Sequence, residues 1–141
     1  MNGKIRITAM LMVASLPCST GLTSCTNPDI YTRMEHELFQ TDNNRTVDIR
    51  LGDTARISLP ENATTGYCWT IDHYDKQYIS ALATEPHYTA DGIGVGSGGN
   101  VTFIFQGKKI GIGEIALKHW RSWEGDSSII ARYHSKLNVL P

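Results

Sequence analysis

From residue 46 onward the apolar residues return at every second position, and after the N-terminal leader no stretch holds a helical apolar period for ten residues. Period two sends successive side chains to opposite faces of an extended chain, so these residues can be buried only as strands with one covered face. Val47, Ile49 and Leu51 alternate with polar residues, Gly52-Asp53 turns the chain, and Ala55, Ile57 and Leu59 alternate again. The two runs read as the strands of a hairpin. Tyr67, Trp69 and Ile71 share one face of a third strand, and a less regular one lies within 78–83. Val101, Phe103 and Phe105 mark the next. Ile115 and Leu117, entered through Gly111 and Gly113, mark another, and Ala131, Tyr133, Leu137 and Val139 the last. A weak first strand fits 34–39.

The expected fold is all-β, an immunoglobulin-like antiparallel β-sandwich. Three connections exceed ordinary turns: 60–66, roughly 89–99, and 121–128. If successive strands run antiparallel, connections alternate between the two ends of the sandwich, and these three are the first, third and fifth of the series. All three then emerge at one end, as a composite surface on a rigid scaffold.

The first residues read as an address. Lys4 and Arg6 precede an apolar run from Ile7 to Leu16 that is too short to span a bilayer as a helix. Leu22-Thr23-Ser24-Cys25 resembles a bacterial lipobox, in which the Cys is acylated and becomes the new N-terminus. The expected organisation is a signal peptide over 1–24, a lipid-anchored tether with a possible first strand over 25–45, and the sandwich over 46–141. Lipidation at Cys25 would place the protein in the bacterial cell envelope, with the outer membrane, on its periplasmic or surface face, as the expected anchor. Cleavage leaves 141 − 24 = 117 residues and, because only Lys4 and Arg6 of the charged residues are lost, a charge of 11 − 14 = −3. So slightly acidic a chain carries no electrostatic footprint for nucleic acid. With Cys25 lipidated, Cys68 has no intramolecular disulfide partner and reads as a small buried residue.

The loops carry the distinctive residues. Asn62-Ala63-Thr64-Thr65-Gly66-Tyr67 is polar, with two hydroxyls able to stiffen a turn by bonding to nearby backbone. Gly94-Val95-Gly96-Ser97-Gly98-Gly99 has almost no side chains. Arg121-Ser122-Trp123-Glu124 places a large aromatic among polar neighbours in a loop, a pattern typical of a binding hot spot.

In this order and spacing the three segments resemble the signatures of the chagasin-like inhibitors of papain-family cysteine peptidases: Asn-Pro-Thr-Thr-Gly-aromatic, Gly-x-Gly-Gly and Arg-Pro-Trp. The resemblance runs from about residue 46 to the C-terminus. It implies a reversible inhibitor with no catalytic residues, and a peptidase-binding surface of Asn62, Thr64, Thr65, Gly66, Tyr67, Gly96, Gly98, Gly99, Arg121, Trp123 and Glu124. Thr64 and Thr65 would sit nearest the enzyme's nucleophile. Gly96, Gly98 and Gly99 would offer bare backbone, Trp123 would pack on an aromatic of the enzyme, and Arg121 and Glu124 would orient it. Such a complex buries on the order of 1,600 Å². Ala63 and Ser122 stand where the family usually has Pro, and each loss of Pro costs about 0.4 to 1 kcal/mol of loop preorganisation.

Other chemistry finds little support. Gly94, Gly96 and Gly99 satisfy G-x-G-x-x-G, but a strand pattern follows where a phosphate-binding helix is required. His36, His73, His87, His119 and His134 lack metal-ligand spacing, so neither metal nor cofactor is expected. A monomer is expected. The second reading of the same loop surface is an immunoglobulin-like lipoprotein acting as an adhesion or assembly module.

Overall fold

The computed structural model describes residues 32–83, 87–90 and 98–141, with 87–90 described by their backbone. The expected signal peptide, the lipobox-like segment with Cys25, and Gly96 lie outside the described residues. Nine strands are formed among those described: β1 Glu35–Phe39, β2 Arg45–Arg50, β3 Thr54–Glu61, β4 Cys68–Tyr74, β5 Ile79–Ala81, β6 His87–Ala90, β7 Gly99–Gly107, β8 Gly111–Trp120 and β9 Ala131–Leu140. One sheet runs β1-β3-β7, with β5 and β6 following each other along the remaining edge of β7. The second runs β2-β9-β8-β4. Pairing is antiparallel except between β1 and β3 and between β2 and β9.

The alternation places the core as the sequence predicts, except that Leu51, just past the end of β2, is exposed. Ile57, Leu59, Phe103 and Phe105 from the first sheet join Ile115, Leu117, Tyr133 and Leu137 from the second in one buried cluster. The folded unit reaches back to Arg33, because β1 pairs with β3 along its whole length.

The expected hairpin does not form. β2 lies in the second sheet on β9, and β3 lies in the first on β7. Alternation says which face of each run is buried, and Ile49 and Ile57 approach the same core from opposite sheets. It carries no information about the partner strand. The crossing at 51–53 is closed by the Gly52 N–H donating to the Gly107 carbonyl at 2.9 Å, with Gly52 at φ 94°. Beside it the buried Asp53 carboxylate accepts the Met34 and Arg50 N–H groups at 3.0 and 3.1 Å and meets His36 Nε2 at 3.0 Å. This carboxylate ties both strands to the N-terminal segment.

Counting β5 and β6 as one interrupted strand keeps the alternation of ends. The pairs Glu61↔Gly99, Cys68↔Trp120 and His119↔Ala131 put the ends of all three long connections at the same pole. The turns at 51–53, 75–78 and 108–110 share the other.

Burial pushes the Tyr133 hydroxyl up to about 12, against a smaller opposing effect of the neighbouring Ser135 hydroxyl. Between the unfolded tyrosine's pKa of about 10 and this folded value, only the unfolded state loses the proton. Stability is therefore insensitive to this group below about pH 10 and falls by roughly 2 to 3 kcal/mol as pH rises to about 12. Tyr133→Phe is expected to be nearly neutral at pH 7 and to remove that alkaline loss, read from urea midpoints across the range.

Candidate functional site

The first loop is held by its own polar side chains. The Asn62 carboxamide oxygen accepts the Thr64 N–H at 3.1 Å and the Thr64 hydroxyl at 2.6 Å. The Thr65 hydroxyl donates to the Asn62 carbonyl at 2.8 Å and accepts the Tyr67 N–H at 3.3 Å. These bonds wind Ala63–Thr65 into a single 3-10 turn that ends on Gly66 in the left-handed region, at φ 81°. Ala63, Thr64 and Thr65 are exposed. The hydroxyls therefore stiffen the loop, and its tip remains free.

Below the turn the loop is bolted to the core. Trp69, at 2% exposure, donates its indole N–H to the Pro60 carbonyl at 3.0 Å and its backbone N–H to the buried Glu61 carboxylate at 2.7 Å. Its ring stacks on His119 across the sheet, 4.7 Å between centroids, and Tyr67 meets the same imidazole edge-on at 5.9 Å. The Arg121 guanidinium lies over Tyr67, 4.3 Å from the ring centroid. A column of stacked groups thus runs from the core to the loops.

Arg121 joins the first loop to the third. Its Nη2 donates to the Thr65 carbonyl at 3.0 Å while Nη1 pairs with Glu124 at 3.2 Å. Trp123, 69% exposed, rests its ring edge on Gly66. A Cβ on Gly66 would come within 2.8 Å of that ring. Glycine is required here twice, for its backbone conformation and for the approach of the indole. Gly66→Ala is expected to displace Trp123 and strain the turn by about 1 to 2 kcal/mol. Partner affinity should fall about tenfold or more, checked by titration with heat stability as the control.

The third loop is anchored by a hydroxyl. The buried Ser128 Oγ accepts the Arg121 N–H at 3.0 Å and donates to the Gly125 carbonyl at 2.7 Å. Lys118 adds a strut, 3.0 Å from Asp126 and 3.4 Å from Asp72, with its ammonium over the Trp120 ring at 3.7 Å. Hydrogen bonding to Asp126 above all pushes the Lys118 pKa up. Asp72 reaches Lys118 from the irregular step in β4, where the register shifts between Ile71 and His73.

Of the second loop, Gly98 is exposed and Gly99 is buried as the first residue of β7, opposite Glu61. The expectation that Gly99 offers open backbone needs this correction, because its position is taken by the ladder. A cavity of about 510 Å³ lies between the first and second loops, with Asn62, Thr65, Tyr67, Gly98, His119 and Ile130 among its walls. Cys68 is exposed, contrary to expectation. It begins β4, and residues of a strand's outer face stay outside however small and apolar they are. Partial burial and the Glu61 carboxylate push its thiol up, which disfavours the thiolate.

Glu61, Lys118 and Ser128 have no place in the sequence reading, and His119 enters it only as a histidine without metal-ligand spacing. Each acts on a partner that strand pairing or loop folding brings close, and none stands in a local motif. Among the described residues no three His, Cys, Asp or Glu side chains gather where they could hold a metal ion.

A two-sheet sandwich that displays stiffened, exposed loop tips beyond its core is a presenting scaffold. Residues 48–137 match the chagasin family peptidase inhibitor I42, and the chain belongs to that family, whose members are inhibitors and not enzymes. Chagasin of Trypanosoma cruzi is 26% identical over 103 residues, covering 71% of this chain and 94% of chagasin. The crystal structure of the cysteine protease inhibitor EhICP2 from Entamoeba histolytica superposes with a TM-score of 0.69 at 22% identity, over 78% of this chain and 99% of that one. PbICP-C, solved in complex with falcipain-2, shares the fold with a TM-score of 0.53 at 17% identity, over 76% of this chain and 99% of that one.

Proposed function

We propose that this chain is a reversible, non-covalent inhibitor of papain-family cysteine peptidases that blocks the active-site cleft with its loop-bearing pole. The observation that carries the reading is the Arg121 bridge to the Thr65 carbonyl, which makes the first and third loops one edge. Thr64 and Thr65 at its tip face the enzyme's nucleophile. A turn closed by the Thr65 N–H to the Asn62 carbonyl at 3.1 Å does not lie extended as a substrate does, so no peptide bond is offered for attack. Trp123 packs beside the cleft, oriented by Arg121 and Glu124, while Gly96 and Gly98 approach the other side through bare backbone. Tyr67 supports Arg121 from below, and Asn62 holds the tip in shape. Gly99 acts through the ladder that positions Gly98. The same reading makes 1–24 a signal peptide and Cys25 a lipid-bearing residue, with the protein a monomer of the bacterial envelope.

The test titrates a soluble form beginning after Cys25 against papain with a fluorogenic substrate. Stoichiometric loss of activity is expected. Full papain activity at micromolar protein would overturn the reading and favour an adhesion or assembly role for the same loops.

A further inference from the structure

We propose that the pole opposite the loops is a membrane-contacting surface that docks on anionic lipid headgroups. Five large hydrophobic residues lie exposed at that end: Met34, Leu51, Ile110, Ile112 and Leu140, at 58, 43, 52, 54 and 38% exposure. Leu51 N–H donates to the Leu140 carbonyl at 2.8 Å and the Thr54 N–H to the Met34 carbonyl at 3.0 Å, which fixes these residues at the strand ends of this pole. Ile112 stands opposite Asn138, two residues before Leu140.

Cations surround them. Arg33, Lys76, Lys108 and Lys109 are exposed at the same end, and none of the four forms an ion pair among the described residues. Lys108 is tied into the pole by its N–H donating to the Tyr78 carbonyl at 2.9 Å, and Lys109 Nζ lies 5.8 Å from the Tyr78 ring centroid. Of the carboxylates nearby, Asp53 is buried beneath His36, Glu35 sits 3.6 Å from Arg56, and Asp75 precedes Lys76 in the 75–78 turn, so the cations outnumber the free carboxylates. In a chain whose charge after removal of 1–24 is −3, this end is locally basic as well as apolar. That combination matches a surface of anionic headgroups over hydrocarbon, where apolar side chains enter and each nearby cation adds electrostatic attraction.

The chain also arrives there. Arg33 lies beside Gly52 at this pole, its Nε 3.5 Å from where a Cβ on Gly52 would stand. Eight residue steps separate it from Cys25, a reach of at most about 29 Å. β8 alone, ten residues long, spans roughly 33 Å from this pole to the loops. Under the Cys25 reading, a lipid there lies within that reach of the basic end. This proximity rests on the Cys25 reading, whereas the docking surface depends neither on it nor on peptidase inhibition.

The test uses the unlipidated protein beginning after Cys25, so that the anchor plays no part. Co-sedimentation is measured with vesicles of phosphatidylcholine alone and with about 30% phosphatidylglycerol. Binding to the anionic vesicles is expected to be about tenfold or more tighter and to weaken steeply with salt. Lys108→Glu with Lys109→Glu should reduce it about tenfold or more and Lys108→Gln with Lys109→Gln by less, with papain inhibition unchanged in both. Equal binding to the two vesicles, no binding, or charge-reversal variants that bind like the parent would overturn the proposal. A concentration-dependent dimer abolished by Ile110→Ser with Ile112→Ser would also overturn it, by assigning this face to a second copy. Labelling of Cys25 by fatty acid, and its loss in Cys25→Ser, reports the anchor separately.

Discussion

Trp123→Ala is expected to weaken inhibition of papain by about 2 to 4 kcal/mol, roughly 30- to 1,000-fold, while leaving the fold intact. The indole is 69% exposed, so truncation removes little that folding buried. It rests on Gly66 and follows Arg121 by two residues, so it is held in place before any partner arrives. A large aromatic already positioned loses little entropy on binding. The measurement is an inhibition titration paired with a thermal melt. A loss below about 0.5 kcal/mol at unchanged melting temperature would show that Trp123 makes no contact.

Trp69→Ala should cost about 3 to 5 kcal/mol of folding stability, the range for emptying a large aromatic site in a core. It differs from an ordinary core truncation because Trp69 also carries the first loop. Its indole N–H holds the Pro60 carbonyl, and its ring supports the His119, Tyr67 and Arg121 column. Stability should fall, and the surviving folded protein should also inhibit less well. Trp69→Phe separates the two effects, because it keeps most of the buried area and removes only the indole N–H. It is expected to cost about 1 kcal/mol plus a small packing term, read by urea denaturation. If Trp69→Ala were folded with parental affinity, the column would have no part in shaping the loops.

Much of the site was legible locally. Asn62, Thr64 and Thr65 bond to atoms no more than three residues away, so a polar run with two hydroxyls before a glycine already contains its own turn. Trp123 stood out as an aromatic between polar neighbours, and it is exposed. The connecting parts were not legible. Arg121 reaches Thr65 across 56 residues of sequence, and Trp69 finds Glu61 eight residues back, where nothing about a single carboxylate at a strand end signals its use. Cys68 was misplaced because small apolar residues are usually buried, while strand geometry sends it outward.

The sequence by itself determined which residues face the core, where the chain leaves the sandwich and what the loop tips are made of. Each of these is encoded in runs of a few residues, through period-two alternation and turn chemistry. Only the tertiary structure decided that β2 and β3 part into different sheets, that Gly66 and Trp123 touch, and that scattered lysines and aliphatic residues form a basic, apolar pole far from the loops. A strand's alternation fixes its faces and leaves its neighbours free. Those neighbours are chosen by packing of the whole core at once.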